Sequence, residues 1–147
     1  MQHKQRHLGR ELALQWLFQI DVGGQPAEEV LAEVPDELEG VEEEGVGFAQ
    51  QLVRGTLEHR PRIDHLIRTY TKGWELSRIA SIDRNVLRLA FYQLLFMPEI
   101  PASVVADEAV ELAKQYSTDE SGKFVNGILG AYLRDQEKAG KEADGEG

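Results

Sequence analysis

Cysteine is absent from the 147-residue sequence. Its absence excludes a disulfide framework, a zinc site built on thiolates and a cysteine nucleophile, and it is typical of a reducing compartment. Long apolar runs are absent too, since none approaches the roughly 20 residues that a membrane span requires, and the N-terminal residues lack the apolar core of a signal peptide. We therefore expect a cytoplasmic protein that forms one compact unit and has no membrane partner.

Basic residues are outnumbered, because 16 lysines and arginines face 26 acidic residues and leave a net charge of -10. The imbalance is local. Residues 25–44 contain nine acids and no base, and residues 135–147 contain five acids and two bases. The remaining segments, 1–24 and 45–134, each sum to +1. Binding to phosphates depends on where the cations lie, so the composition does not exclude RNA as a ligand.

Apolar residues recur at three- and four-residue spacing along most of the sequence, and no segment has the alternation of a strand. The pattern predicts a first helix over about residues 5–21 and a short second helix that Pro26 opens and that ends near Val34. Residues 35–47 are acidic and rich in glycine, so they are predicted to form a mobile loop. The most apolar helix is predicted over residues 82–97, and its composition favours a central position.

The rest of the pattern predicts further helices around residues 48–57, 63–70, 75–79, 103–116 and 119–132. Together these segments predict an all-α fold of about seven helices in two packed helical bundles. The first bundle is predicted over residues 1–74, with the acidic loop near 35–47, and the second over residues 75–135. Residues 136–147, rich in Gly, Lys and acids, are predicted to form a disordered tail.

Catalytic motifs are not found in the sequence. It has no Gly-rich phosphate loop, no zinc-binding His-Glu helix and no nucleophile elbow. His3 and His7 could share one helical face, but two solvated histidines are the favoured interpretation over a metal site. The acidic pairs lie in exposed segments, where nothing would separate their pKa values for acid–base catalysis. We expect no enzyme activity, no cofactor and no bound metal.

Two features at the ends of predicted helices resemble binding sites. The basic cluster at the start of the first helix is followed by Phe18, which combines phosphate-seeking charge with a ring that can stack, although an ordinary basic helix start with a core Phe is favoured on the pattern alone. The polar turn 118–127 leads into a helix N-terminus with Lys123 and Phe124, which suits an anion but equally suits a plain cap. The basic cluster consists of Lys4, Arg6, His7 and Arg10.

A third feature is a polar stripe on the most apolar helix. Arg84, Arg88 and Tyr92 lie at i, i+4 and i+8 and therefore share one helical face. Either the stripe is the one solvated face of that helix, or it is a surface for a protein partner, because Arg and Tyr are common interface anchors. The residues alone do not decide between these two interpretations.

Four segments, in this order, resemble the NusB family of bacterial transcription antitermination factors. They are Arg10–Gln15, Arg88–Leu94, Asp107–Lys114 and Lys123–Leu129. The similarity spans roughly residues 5–135, and the last two segments are its most specific part.

This resemblance implies two packed helical bundles, no catalysis, and a heterodimer with NusE, a small-subunit ribosomal protein. The pair is expected to bind boxA single-stranded RNA of ribosomal RNA transcripts, in an antitermination complex with RNA polymerase, NusA and NusG. By position in the family, the basic N-terminal helix start and the start of the last helix would hold the RNA, which reverses the interpretation favoured for the first feature. The implied RNA-binding residues are Lys4, Arg6, His7, Arg10, Phe18, Glu120, Lys123 and Phe124.

The partner contact implied by the resemblance involves the polar stripe, extended by one residue to Asp83, Arg84, Arg88 and Tyr92. Some family members carry a denser run of arginines near the N-terminus. In this chain the order is Arg6-His7-Leu8-Gly9-Arg10, which has fewer permanent positive charges. We therefore expect weak RNA binding by the chain alone and tight binding with NusE. The sequence does not decide whether the chain also forms a homodimer.

Two other functions are conceivable for this sequence. A protein–protein adaptor that binds no RNA is supported by the acidic charge. An RNA-modifying enzyme is considered because a NusB-like domain also occurs at the N-terminus of some ribosomal RNA cytosine methyltransferases. We do not expect that activity, because the sequence has neither a methyl-donor domain nor a cysteine to attack a pyrimidine.

Overall fold

Helices account for nearly all regular structure in the computed structural model, which describes residues 2–36 and 38–146, the last five of these by their backbone alone. No strand occurs among the described residues, so the all-α prediction of about seven helices is confirmed. A 3₁₀ turn, Leu76–Arg78, lies between the fourth and fifth helices. The helices are α1 His3–Asp21, α2 Ala27–Val30, α3 Glu43–Glu58, α4 Arg60–Tyr70, α5 Ser81–Phe96, α6 Ala102–Tyr116 and α7 Asp119–Glu146.

Helix α5 lies at the centre of the fold, as its composition predicted. It packs against α1, α3, α4, α6 and α7, so it is enclosed on nearly every side. Its residues from Asn85 to Gln93 are all buried, including the large side chains of Leu87 and Phe91. A helix that is surrounded in this way has no solvated face, so the polar stripe on it lies mostly inside the fold.

Helices α1 and α3 cross closely at two glycines. A methyl group on Gly9 would come within 2.8 Å of the Gly45 carbonyl oxygen and 2.9 Å of the Phe48 ring. Nearby, the Gln5 side chain donates to the Gly40 carbonyl at 3.0 Å and accepts from the Glu42 amide at 2.8 Å. The start of α1 therefore holds the chain segment that leads into α3.

The predicted acidic loop is shorter than expected. Helix α3 begins at Glu43, five residues before Phe48, because Glu43 and Glu44 fall in its first turn and complement the positive end of the helix dipole. Leu38 is buried inside the segment, so part of it packs against the protein. The predicted second helix is also shorter, since α2 ends at Val30.

Helix α7 continues well past the point predicted for its end. The Thr118 hydroxyl accepts a hydrogen bond from the Ser121 amide at 3.1 Å, which confirms the predicted cap at its start. Its backbone remains helical through Glu146, which corrects the prediction of a disordered tail from residue 136, although Gly147 lies outside the described residues. An i, i+4 ion pair between Lys141 and Glu137 supports this extension, and no proline interrupts it. The division into bundles at residues 74 and 75 stays a prediction.

Candidate nucleic-acid interface

The basic cluster at the start of α1 is only partly on the surface. Lys4 is exposed, whereas Arg6 is half-buried and its guanidinium lies 5.9 Å from the centre of the Phe48 ring. The Nε atom of Arg6 is buried without a hydrogen-bond partner. Of the predicted phosphate contacts in this cluster, Lys4 is therefore the most accessible.

Arg10 lies inside the protein, which contradicts its predicted role as a surface contact for RNA phosphate. Its residue exposure is 1%, its Nε donates to the Gln93 side chain at 2.9 Å, and its guanidinium lies 5.4 Å from the Phe48 ring centre. Burial lowers the pKa of Arg10, and the charge of Glu108 only partly opposes that shift. The reason is geometric, because Arg10 lies on the face of α1 that meets α3 and α5.

His7 is half-buried between two carboxylates. Its Nδ1 lies 2.8 Å from a Glu108 oxygen, and its Nε2 lies 3.4 Å from a Glu11 oxygen. Two acids so close to the ring would repel an RNA phosphate, so the surroundings of His7 count against a direct phosphate contact. His3 also approaches Glu108, at 3.9 Å. Among the described residues, these histidines and acids form no cluster that could hold a metal ion.

Phe18 is half-buried near the other end of α1. One edge borders a small groove that also includes Ile82 and Tyr116, and another borders a groove near Val22. Helical rise places Phe18 roughly 21 Å along the axis from Lys4. The sequence predicted these two residues as parts of one site, but the structure puts them at opposite ends of the helix.

The start of α7 presents the third predicted feature at the surface. Glu120 and Lys123 are exposed and form an i, i+3 ion pair of 3.3 Å. Phe124 is half-buried and lines a groove of about 350 Å³ together with Lys123. An exposed ion pair contributes little to stability, so Lys123 is free to bind a stronger anion.

The start of α5 connects Phe18 to the start of α7. Ile82 borders the groove beside Phe18, and the next residue, Asp83, lies against the Ser121 side chain, two positions before Lys123. The structure therefore brings Phe18 and the Lys123 region to one end of the molecule. The basic cluster stays at the far end of α1.

The polar stripe on α5 is internal. Arg88 is 3% exposed, its Nε donates to Asp64 at 2.8 Å, and its Nη1 lies 3.2 Å from Asp21. Arg84 donates to Asp21 at 2.7 Å and to the carbonyl groups of Leu76 and Ile79. Arg84 and Arg88 thus belong to an ion-pair network between helices, and the interpretation of the stripe as the solvated face of α5 was wrong.

Tyr92 and Asp83, the remaining predicted partner contacts, are also buried. The Tyr92 ring stacks near Phe96 with centroids 5.5 Å apart, and a methyl group added to Gly55 would overlap it. Burial raises the pKa of Tyr92 and that of Asp83. As direct partner contacts, Asp83, Arg88 and Tyr92 are therefore contradicted, because α5 is enclosed by its neighbours.

Asp21, at the end of α1, is the centre of that network and was missed by the sequence reasoning. Burial opposes its ionisation, but hydrogen bonds from Arg84 and Asn85 and the charge of Arg88 outweigh burial and lower the pKa of Asp21. Arg60 adds a further ion pair at 3.6 Å. A single acid at a helix end gives no sequence signal for such a role.

Trp74 and Lys72 were also missed. They lie in the turn after α4 and line the same groove as Lys123 and Phe124. The usable signal was a tryptophan next to Lys-Gly, in a polar turn, outside any apolar stripe.

No helix in the described part of the chain is long and apolar enough to cross a membrane.

Comparison with known proteins gives a consistent result. The model of the NusB family matches residues 7–134. A transcription antitermination protein NusB from Symbiobacterium thermophilum is 45% identical over 139 residues, which cover 88% of this chain and 89% of that protein. The solved structure of T. maritima NusB is 42% identical with a TM-score of 0.77, over 89% of this chain and 91% of that chain. A crystal structure of antitermination factors NusB and NusE in complex with dsRNA matches at 28% identity with a TM-score of 0.81, over 91% of this chain and 99% of the matched chain.

Proposed function

This chain belongs to the NusB family, and we propose from that membership that it is a transcription antitermination factor that binds boxA single-stranded RNA as a heterodimer with NusE. In this role it binds and positions RNA for RNA polymerase, together with NusA and NusG, and it catalyses no reaction. Its place of action is the cytoplasm. A solved relative that pairs NusB with NusE and dsRNA supports both the partner and the class of ligand.

The observation that carries the proposal is the start of α7. There Lys123 is exposed and Phe124 lines an open groove, both within the segment that resembles the family most specifically. A cation beside an accessible ring binds single-stranded RNA, because the cation attracts phosphate and the ring stacks on an unpaired base. Glu120, paired with Lys123, is displaced from it when a phosphate binds.

At the start of α1, Lys4 and Arg6 remain in the proposed RNA surface as accessible or partly accessible cations. Arg10 and His7 support this surface without contacting RNA, because Arg10 is buried and His7 lies between two acids. Phe18 joins the Lys123 end of the surface. Of the polar stripe, only Arg84 stays in the proposed NusE contact, because it borders an open groove and is half-buried, whereas Arg88 is buried.

The test is a titration of fluorescent boxA single-stranded RNA with this chain, alone and premixed with NusE, at two salt concentrations. Affinity should rise with NusE and fall with salt. Two variants examine the α7 start: Lys123→Gln removes the cation, and Phe124→Leu removes the ring while keeping apolar bulk. The matched control is Lys138→Gln, because Lys138 is also exposed on α7 but lies four helical turns away.

A binder of boxA RNA loses affinity in both test variants and keeps it in the control. An equal-length RNA duplex, included because the solved relative holds dsRNA, should bind more weakly than the single strand. If RNA does not bind with or without NusE while the heterodimer forms, the chain is a protein–protein adaptor and the proposal is wrong.

A further inference from the structure

The groove at the start of α7 extends onto the turn that follows α4. Its walls come from α4, the turn and α7, and two of its side chains are lysines. Trp74 is 57% exposed, the largest exposed apolar side chain among the described residues. The lining residues are Tyr70, Thr71, Lys72, Trp74, Lys123, Phe124, Gly127 and Ile128.

The two tryptophans of this chain are in opposite environments. Trp16 is 0% exposed and donates its indole N–H to the Glu33 carbonyl at 2.8 Å. Trp74 leaves more than half of its surface in water, although burying an indole is strongly favourable. A single exposed apolar side chain needs no explanation, but here the indole lines a groove that two lysines also line.

The turn that carries Trp74 is held in place. Lys72 has φ of 58° and Gly73 has φ of 81°, so both lie in the left-handed region. That conformation is uncommon for lysine and persists only where the surroundings fix it. Two hydrogen bonds fix the turn, because the Gly73 amide donates to the Arg68 carbonyl at 2.9 Å and the Thr71 hydroxyl donates to the Ile67 carbonyl at 2.8 Å. The indole is therefore presented by an ordered turn.

The electrostatics of the groove suit an anionic chain. Lys72 and Lys123 line it, and Arg78 lines a second groove that shares Trp74. Acids border both grooves but are few: Glu120 pairs with Lys123 at 3.3 Å, and Glu75 lines the second groove. Asp135 accepts a hydrogen bond of 2.7 Å from the Tyr70 hydroxyl. Burial and Asp135 raise the pKa of Tyr70 to about 12, so this phenol stays neutral and adds no negative charge.

We propose that Trp74 and Lys72 extend the RNA surface, with the indole stacking on an unpaired base of single-stranded RNA and the Lys72 and Lys123 ammonium groups holding the adjoining phosphates. This inference rests on the proposed function and adds residues that lie outside the four segments on which the resemblance rests. A base stacks on Trp74, and Phe124 borders the same 350 Å³ space. Arg78, which lines the second groove together with the indole, receives the next phosphate.

The tryptophans supply the first measurement. Because Trp16 is buried, a change in intrinsic fluorescence on adding RNA reports on Trp74. The wild-type chain, premixed with NusE, should lose fluorescence as boxA single-stranded RNA binds. Trp74→Phe should bind the RNA without that loss, since phenylalanine keeps a stacking face. Comparing the two proteins also cancels any signal from NusE.

The second measurement is affinity. Trp74→Ala should weaken binding roughly 5- to 150-fold, the effect of losing one stacked base. Lys72→Asn, which tolerates the left-handed backbone, should reduce the salt slope of binding by about one. The matched control for the tryptophan is Val34→Ala, another exposed apolar residue, which should change nothing. Thermal unfolding of each variant verifies that the fold is kept.

Each contrary result has a distinct meaning. If the wild type binds RNA but Trp74→Ala binds equally well and no fluorescence is lost, the inference is wrong and the proposed function stands. If Trp74→Ala weakens NusE binding or self-association in the absence of RNA, the groove is a protein interface and the inference is also wrong. If the wild type does not bind RNA even with NusE, the proposed function itself fails.

Discussion

Two sets of cations in this molecule have opposite surroundings. The internal arginines Arg10, Arg84 and Arg88 are buried or half-buried and pair with Gln93, Asp21 and Asp64. The groove lysines, Lys72 and Lys123, are exposed beside aromatic rings. Arginine suits buried ion pairs because its planar guanidinium donates in several directions, whereas the lysine ammonium keeps its hydration at the surface. Positive charge in the sequence was therefore a poor guide to positive charge on the surface.

The largest effect is expected for Arg88→Ala. This change leaves Asp64 buried without its main partner, which costs about 3–5 kcal/mol in the free energy of unfolding. Urea denaturation measures it. A loss below about 1 kcal/mol would mean that water from the adjoining groove solvates Asp64, and Arg88 would then not belong with the internal arginines.

Arg10 allows a direct test of the comparison. Arg10→Ala should cost about 2–4 kcal/mol, since it removes packing against Phe48. Arg10→Met keeps a long apolar stem and removes a charge whose two Nη atoms lack partners, so its stability should stay within about 1 kcal/mol of wild type. Both variants, once folded, should bind RNA as wild type does. A folded Arg10→Met that no longer binds RNA would place Arg10 among the RNA contacts.

Acid should weaken the internal network. The pKa of Asp21 is lowered in the folded state, so its contribution to stability is present above the ordinary value of 3.8 and is lost as pH falls through the folded pKa. Asp83 has the opposite shift, so its ionisation destabilises the fold as pH rises above 3.8. The free energy of unfolding should be measured from roughly pH 3 to pH 7, a range that spans the ordinary pKa values of carboxyl groups. It should depend less on acid in Asp21→Asn than in the wild type. Asp83→Asn should gain stability near neutral pH, and a loss there would contradict the sign of its shift.

The smallest effects on stability are expected for the groove lysines. Lys72→Asn and Lys123→Gln should change the free energy of unfolding by less than about 0.5 kcal/mol, because exposed cations contribute little to folding. Their RNA affinity should fall nevertheless. A large loss of stability in either variant would remove the distinction between the two sets of cations.

The sequence predicted the helical architecture well because helix periodicity is local. The stripe of Leu12 and Trp16 gave α1, and the apolar run after Ser81 gave the central helix. The start of α3 was not predicted because its first residues are glycines and acids, which are typical of a loop. In the first turn of a helix, however, acids are favourable because they complement the positive end of the helix dipole. Residues 136–146 were predicted to be disordered from composition, but the continuous backbone of α7 extends through them.

The candidate site was predicted only in part. Lys123 and Phe124 are at the surface as expected, whereas Arg10, Arg88 and Tyr92 are not. Spacing shows that residues share a helical face, but it does not show whether another helix covers that face. Trp74 was missed because it belongs to a turn, where no periodic pattern marks a residue as buried or exposed.

The sequence by itself determined that this protein is helical, where most helices lie, and that it resembles the NusB family. These properties depend on residues close together in the chain or on motifs that can be compared directly. Only the tertiary structure decided which cations are available to a ligand. That outcome depends on contacts such as Arg10 with Gln93 and Arg88 with Asp64, which join residues 83 and 24 positions apart. Burial is a property of the whole fold, and a local pattern of charge does not contain it.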